Sequence, residues 1–282
     1  PSGPFSTSFL LELSGAGAGQ HIRYEAVPPG PGGATGSAPT AASTRYMGPI
    51  GVSGPIVIRA AVFSDDLRAR GLPATAQFFA LDLSEPDGLG DFTTKLPVMV
   101  LEPHGLSGLE KEDGSRPGWL YAYAAKPAGA LPFSAAPDFV SPSLLEVRGS
   151  SSANFPKKSY NIDFVNDLGE STGLSLLNSP PFDEWALIGP WLYDPALIRN
   201  MIIYALSNRI GRWAPRTQPV EVFVNFDGRP LDRTGYVGVY VLTDKIDLHP
   251  NRLALDRMSA GATAEPEITG GYLLEIMEPS RL

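Results

Sequence analysis

Arg148-Gly149-Ser150-Ser151-Ser152-Ala153-Asn154-Phe155-Pro156-Lys157-Lys158-Ser159-Tyr160 sets three cations around a turn of small residues and runs straight into Asn161-Ile162-Asp163-Phe164. The turn has the composition of an anion site: glycine and serines bring backbone N–H groups and hydroxyls close to phosphate oxygens, and Arg or Lys adds charge-assisted hydrogen bonds. The same residues also compose an ordinary solvated basic turn, and their spacing is not that of a Walker loop. Beyond the turn, polar and apolar residues alternate over 158–164. That period reads as a strand with Lys158, Tyr160, Ile162 and Phe164 on one face and Lys157 on the other, so that one lysine faces a cleft.

The surrounding sequence is β-rich. Thirty glycines and 28 prolines in 282 residues point to many turns and short strands, with few long helices. Ahead of the turn, the continuous apolar run Val98-Met99-Val100-Leu101 reads as a buried strand, and Trp119–Tyr123 and Ser143–Val147 continue the β pattern. After it, Asp194-Pro195 makes a helix start and Gly211 a stop, which predicts a helix over about 195–210. Leu197, Ile198, Met201, Ile202, Ala205, Leu206 and Ile210 share helical spacing and are expected to form its buried face. Val220–Asn225 and Tyr236–Leu242 read as a hairpin around Asp227-Gly228. Asn225-Phe226-Asp227 is explained by that turn without metal chemistry.

Nearer the N-terminus, the runs Phe9–Leu13, His21–Ala26, Ile56–Phe63 and Thr75–Leu81 suggest a small β-sandwich. Pro28–Ser43 and Gly105–Pro117 read as long loops. Tyr24, Tyr46, Phe78 and Phe79 are flat enough to stack on a sugar, but strand alternation assigns them to core packing.

Bulk properties exclude several classes. A hydrophobic content of 43% is enough for a sizeable core, and no apolar run reaches the length of a membrane span. A formal net charge of −8 argues against a phosphate-tracking nucleic-acid surface. The chain has no cysteine, so it forms neither disulfides nor thiolate metal sites. Its three histidines, His21, His104 and His249, lie far apart in sequence, and no zinc centre is expected. A signal-type segment is absent from the N-terminal residues, and the lack of cysteine leaves the compartment open.

Trp185, Asp194, Arg199-Asn200, Gly235-Tyr236-Val237-Gly238-Val239-Tyr240 and Gly270-Gly271-Tyr272-Leu273-Leu274-Glu275 follow the cationic turn in that order. Together with Arg148-Gly149-Ser150-Ser151 and Pro156-Lys157-Lys158-Ser159-Tyr160, this set resembles the CotH family of spore-coat-type atypical protein kinases over about residues 92–278. The resemblance implies ATP and Mg²⁺ as cofactors, with Arg148, Ser150, Ser151, Lys157, Lys158, Asp244 and Glu275 as nucleotide-binding residues. Arg148 and Lys158 would contact phosphate, with Lys157 in reserve, and Asp244 would pair with Lys158 as a kinase carboxylate does with its lysine. Asp194 is expected to be a helix cap, and Arg199 and Asn200 either a structural clamp to a neighbouring carboxylate, the favoured reading, or a ligand contact. The pattern departs from the family at Asp244, where glutamate is usual, and at Met277, where a second carboxylate is usual.

In the family pattern the Asn-x-Asp and Trp-Asp-x-Asp segments that supply base and metal ligands come after Gly-Gly-Tyr-Leu-Leu-Glu, and they are expected beyond Leu282. No catalytic residue is therefore assigned, the metal ligands are left unknown, and little or no kinase activity is expected of this chain alone. The resemblance implies an extracellular or cell-surface protein that phosphorylates Ser or Thr of a surface or coat protein, without nucleic-acid partners. The alternative is a non-catalytic docking protein whose sandwich binds carbohydrate or protein. The N-terminal residues Ile22-Arg23-Tyr24, Pro39-Thr40, Ser43, Tyr46, Gly48-Pro49-Ile50 and Ile58–Phe63 resemble the immunoglobulin-like module at the C-terminal end of chitobiases, here with an expanded loop. The expected fold class is α+β: a small immunoglobulin-like β-sandwich over 1–85, then a partial atypical protein-kinase-like domain over 86–282.

Overall fold

Short β-branched and aromatic runs broken by glycine and proline form fourteen strands and one α-helix among the described residues. The computed structural model describes residues 2–30, 36–106, 108–127, 130–192, 194–256, 258–269 and 273–274. The first seven strands are β1 (Gly3–Phe5), β2 (Phe9–Leu11), β3 (Gln20–Val27), β4 (Thr44–Arg45), β5 (Ile50–Val52), β6 (Ile56–Ser64) and β7 (Ala74–Ala80). They form a five-stranded sheet of order β1-β7-β6-β3-β4 and a two-stranded sheet of β2 and β5. Val52, Ile58 and Phe78 bury between them, and Phe5, Phe9 and Tyr24 pack against that cluster. Phe9 meets Phe5 and Phe78 edge-on at 5.5 and 5.2 Å, an arrangement suited to aromatic quadrupoles. Tyr24, Phe78 and Phe79 are thus packing residues, as strand alternation predicts.

The other seven strands are β8 (Val98–Glu102), β9 (Arg116–Tyr123), β10 (Phe139–Arg148), β11 (Ser159–Phe164), β12 (Glu184–Ile188), β13 (Thr217–Val224) and β14 (Tyr236–Asp244). They close into a barrel of order β10-β11-β12-β14-β13-β8-β9, which leaves no unpaired sheet edge. Every pairing is antiparallel except β8 with β13, which run parallel from Val98 opposite Glu221 to Leu101 opposite Val224. Met99, Leu101, Val147, Ile162, Trp185, Val222 and Leu242 fill the interior.

The barrel's β8–β9 side is buried twice. Alternate residues Val98, Val100, Trp119, Tyr121 and Tyr123 face outward onto Phe79, Leu81 and Leu89. All five residues of β8 are therefore buried, which explains the apolar run Val98–Leu101 ahead of Glu102. A polar network crosses the same boundary. Tyr121 donates through its hydroxyl to Gln77 Oε1 (3.1 Å), Gln77 Nε2 lies 3.2 Å from His104 Nδ1, and His104 Nε2 lies 3.1 Å from the Val27 carbonyl oxygen. Glu102, fully buried, accepts from the His104 backbone N–H (2.9 Å) and Asn225 Nδ2 (2.5 Å).

The expected helix needs correction. Helix α1 spans Arg199–Arg209, four residues later than the Asp194-Pro195 start suggests, because Leu197 has φ +59°, a left-handed conformation that a helix cannot contain. None of its residues is buried, so the predicted core face over Leu197, Ile198, Met201, Ile202, Ala205, Leu206 and Ile210 is not one. Ile202 is 57% exposed and Leu206 51%. The predicted hairpin is β13 and β14, whereas most of the Gly270–Glu275 motif lies outside the described residues.

Candidate functional site

β10 alternates inward Leu145 and Val147 with outward Glu146 and Arg148, so the strand's last residue leaves the barrel wall as a cation. The chain then turns at Gly149, with φ +113°, where a Cβ would collide with the Ser152 hydroxyl. Only glycine satisfies both conditions. The turn continues as a short 3-10 segment over Ser151–Asn154, in which the Ala153 N–H binds the Ser150 carbonyl (3.2 Å) and the Phe155 N–H the Ser152 carbonyl (3.1 Å). These internal bonds occupy two of the amides that a phosphate nest would offer. Ser150 and Ser151 remain exposed.

Arg148 is partly buried and has no hydrogen-bond or ion-pair partner among the described residues. Burial pulls its pKa down, and the Tyr204 hydroxyl opposes that. The side chain lines a cavity of about 390 Å³ on the outer barrel wall. Asn200 and Tyr204 of α1 line it too, as do Thr217 of β13, Thr243 and Asp244 of β14, and Lys245. Apolar Ile188, Val241, Ile246, Leu273 and Leu274 complete it. Thus α1 forms one wall of a polar-floored pocket instead of packing into a core.

Asp244 is only 1% exposed at its side chain. Its Oδ2 accepts from Arg216 Nε (2.8 Å) and the Arg216 backbone N–H (3.1 Å); its Oδ1 accepts from Arg216 Nη2 (3.2 Å) and lies 2.7 Å from Arg252 Nη1. The expected pairing with Lys158 does not form. Lys158 Nζ instead binds Glu110 Oε2 (2.7 Å) and the Ala153 carbonyl (2.9 Å). Lys157 Nζ donates to the Val239 carbonyl (2.6 Å) and stands 4.7 Å from the centre of the Tyr240 ring. Burial lowers the Lys157 pKa, partly countered by Glu221. The cations that the sequence groups together are therefore divided: Arg148 opens on the cavity, while the two lysines are bound elsewhere.

Asp194 is not the N-cap, a place taken by Ile198, although its carboxylate accepts from the backbone N–H groups of Arg199 (3.0 Å) and Ile198 (3.4 Å) at the helix start. The favoured clamp at Arg199 and Asn200 is not seen: neither side chain bonds a carboxylate among the described residues, and Asn200 faces the cavity. Glu275 lies outside the described residues.

Arg252 and Arg216 were not distinguished in the sequence. The Arg252 guanidinium, 0% exposed, lies 4.1 Å from the Phe182 ring centre and 4.4 Å from that of Trp185. Neither arginine sits in a pattern that separates it from a surface arginine, because both owe their roles to residues distant in sequence. Among the described residues no group of three or more His, Asp or Glu side chains is placed to hold a metal ion. Residues 145–267 match the family model described as CotH kinase protein. No curated protein matches the chain.

Proposed function

With residues 145–267 a segment of the CotH kinase family, we propose that the Arg148 cavity receives the phosphate groups of a nucleotide. The protein would then act as an ATP-dependent phosphotransferase of the CotH type on serine or threonine of a surface or coat protein. The observation that carries this reading is the partly buried Arg148 guanidinium at the cavity wall, which has no partner among the described residues. A cation withdrawn from water without a partner is unfavourable, and a phosphate oxygen supplies the missing charge-assisted hydrogen bonds. Thr217, Thr243 and Asn200 add neutral hydrogen-bonding groups that can orient the same anion.

A kinase family implies ATP and a divalent metal in general. The described residues fit the phosphate part: Arg148 neutralises charge, and the exposed Ser150 and Ser151 hydroxyls flank the turn that follows it. They do not fit the metal part, since the cavity's one carboxylate among the described residues, Asp244, is taken up by Arg216 and Arg252. Lys158 joins the site only by leaving Glu110, whose carboxyl side chain is 63% exposed; surface pairs of this kind contribute about 0–1 kcal/mol and exchange readily. No helix among the described residues is long and apolar enough to cross a membrane. A surface or coat location belongs to the same proposal.

Calorimetric titration with ATP, with and without Mg²⁺, tests the reading. Arg148→Ala is expected to weaken binding at least about tenfold, the loss of one charge-assisted contact. A folded Arg148→Ala protein that binds ATP as tightly as the unaltered one would overturn it.

A further inference from the structure

Arg216, Asp244 and Arg252 carry two positive charges against one negative, directly behind the cavity wall. Among the described residues, all the close donors to the Asp244 carboxylate come from these two arginines. Arg252 is an unusual partner. Its side chain is fully buried against the Phe182 and Trp185 rings; among the described residues its Nε has no hydrogen-bond acceptor, its Nη2 makes only a long bond to the Glu184 carbonyl (3.5 Å), and its Nη1 meets Asp244 Oδ1 at ion-pair distance without the alignment of a hydrogen bond. The two aromatic faces, not a full set of acceptors, hold the guanidinium in place. A buried cation so poorly bonded is unfavourable for packing alone. Its effect falls on the carboxylate, which it draws away from solvent and toward Arg216.

We propose that Arg252 is a positioning residue for an anionic ligand in the Arg148 cavity: by holding the Asp244 carboxylate against Arg216, it keeps that carboxylate from opposing the anion. The inference rests on the phosphate-binding reading and refines it. Asp244 becomes a restrained wall residue, not a metal or phosphate ligand. The Arg216–Asp244–Arg252 group becomes a net positive background that adds to Arg148.

Replacing Arg252 leaves one carboxylate oxygen without its nearest cation. Negative charge then faces the cavity, and neutralising Asp244 removes the fault. The test is titration of the full chain with sodium pyrophosphate and, separately, with ATP, alongside thermal unfolding of each variant. Arg252→Met is expected to weaken pyrophosphate binding about tenfold, the scale of one uncompensated charge near a protein surface. Asp244→Asn combined with Arg252→Met is expected to recover most of that loss, and Asp244→Asn alone to bind pyrophosphate at least as tightly as the unaltered protein. A purely structural role for Arg252 predicts no recovery in the double variant.

The inference is overturned if folded Arg252→Met binds pyrophosphate normally, or if the double variant stays weak. Should Arg252→Met fail to fold, Asp244→Asn decides alone, since weaker pyrophosphate binding by it would make Asp244 a ligand. Binding of pyrophosphate but not ATP, with this pattern of variants, would sink the nucleotide reading and leave the positioning role standing. Absence of any pyrophosphate binding overturns both.

Discussion

Gly149 fixes how Arg148 leaves its strand. Its φ of +113° and the nearby Ser152 hydroxyl exclude any Cβ, so Gly149→Ala is expected to cost about 1–3 kcal/mol of stability, read from urea unfolding. At this scale the sequence was partly legible. The Arg148–Tyr160 stretch announces a tight turn rich in small residues and cations, and the structure forms that turn. What it did not announce is which cation stays free. Lys157 and Lys158 find carbonyl and carboxylate oxygens from Val239 and Glu110, partners 82 and 48 residues away, and Arg148 finds none among the described residues. Arg252 was invisible for the same reason: its role depends on Phe182, Trp185 and Asp244 converging in space.

Helix α1 shows how a local pattern is read correctly and its setting wrongly. Ile198, Ile202, Leu206 and Ile210 do recur every four residues, and all four are exposed. Periodicity reports that residues share a face, not that the chain covers it. The helix starts later because the left-handed Leu197 intervenes before the first turn, and Asp194 reaches the Arg199 amide from outside the helix, with Ile198 as its N-cap. The strands were read in the right setting, since alternation is itself a consequence of having one buried face; β14 starts at the predicted Tyr236, while β10 and β13 begin about four and three residues before their predicted starts. A paired comparison tests the difference in setting. Ile202→Glu with Leu206→Glu is expected to change stability by no more than about 0.5 kcal/mol, as for surface sites. Leu187→Ala, at a fully buried barrel position, is expected to cost about 2–5 kcal/mol. Urea unfolding measures both.

Across the molecule, the seam between the N-terminal sheets and the barrel holds a marked pH dependence near neutrality. Burial raises the Glu102 pKa from its ordinary 4.5 to about 8, despite hydrogen bonds from Asn225 and the His104 backbone. A carboxyl with a raised folded value contributes most below 4.5, and that contribution falls away as pH rises to about 8. His104 is depressed below its ordinary 6.5 by burial, so its contribution is present above 6.5 and is lost on acidification through the folded value. The two slopes oppose each other below pH 6.5, and only that of Glu102 remains above it. Stability is therefore expected to fall by about 2 kcal/mol between pH 6.5 and 8, and Glu102→Gln to flatten that decline, measured by urea unfolding at each pH. The sequence reads Val98–Leu101 as a buried strand, but the pH dependence is not legible in it: Glu102 meets Asn225, and β8 its parallel neighbour β13, more than a hundred residues later. That distance orders events during synthesis. The N-terminal sheets have all their strands once Ala80 is made, but β8 lacks its parallel neighbour until the chain passes Val224. The ribosome thus delivers a finished platform first, and the apolar side of β8 and β9 can settle on Phe79 and Leu81 while the barrel is still an open sheet awaiting its last strands.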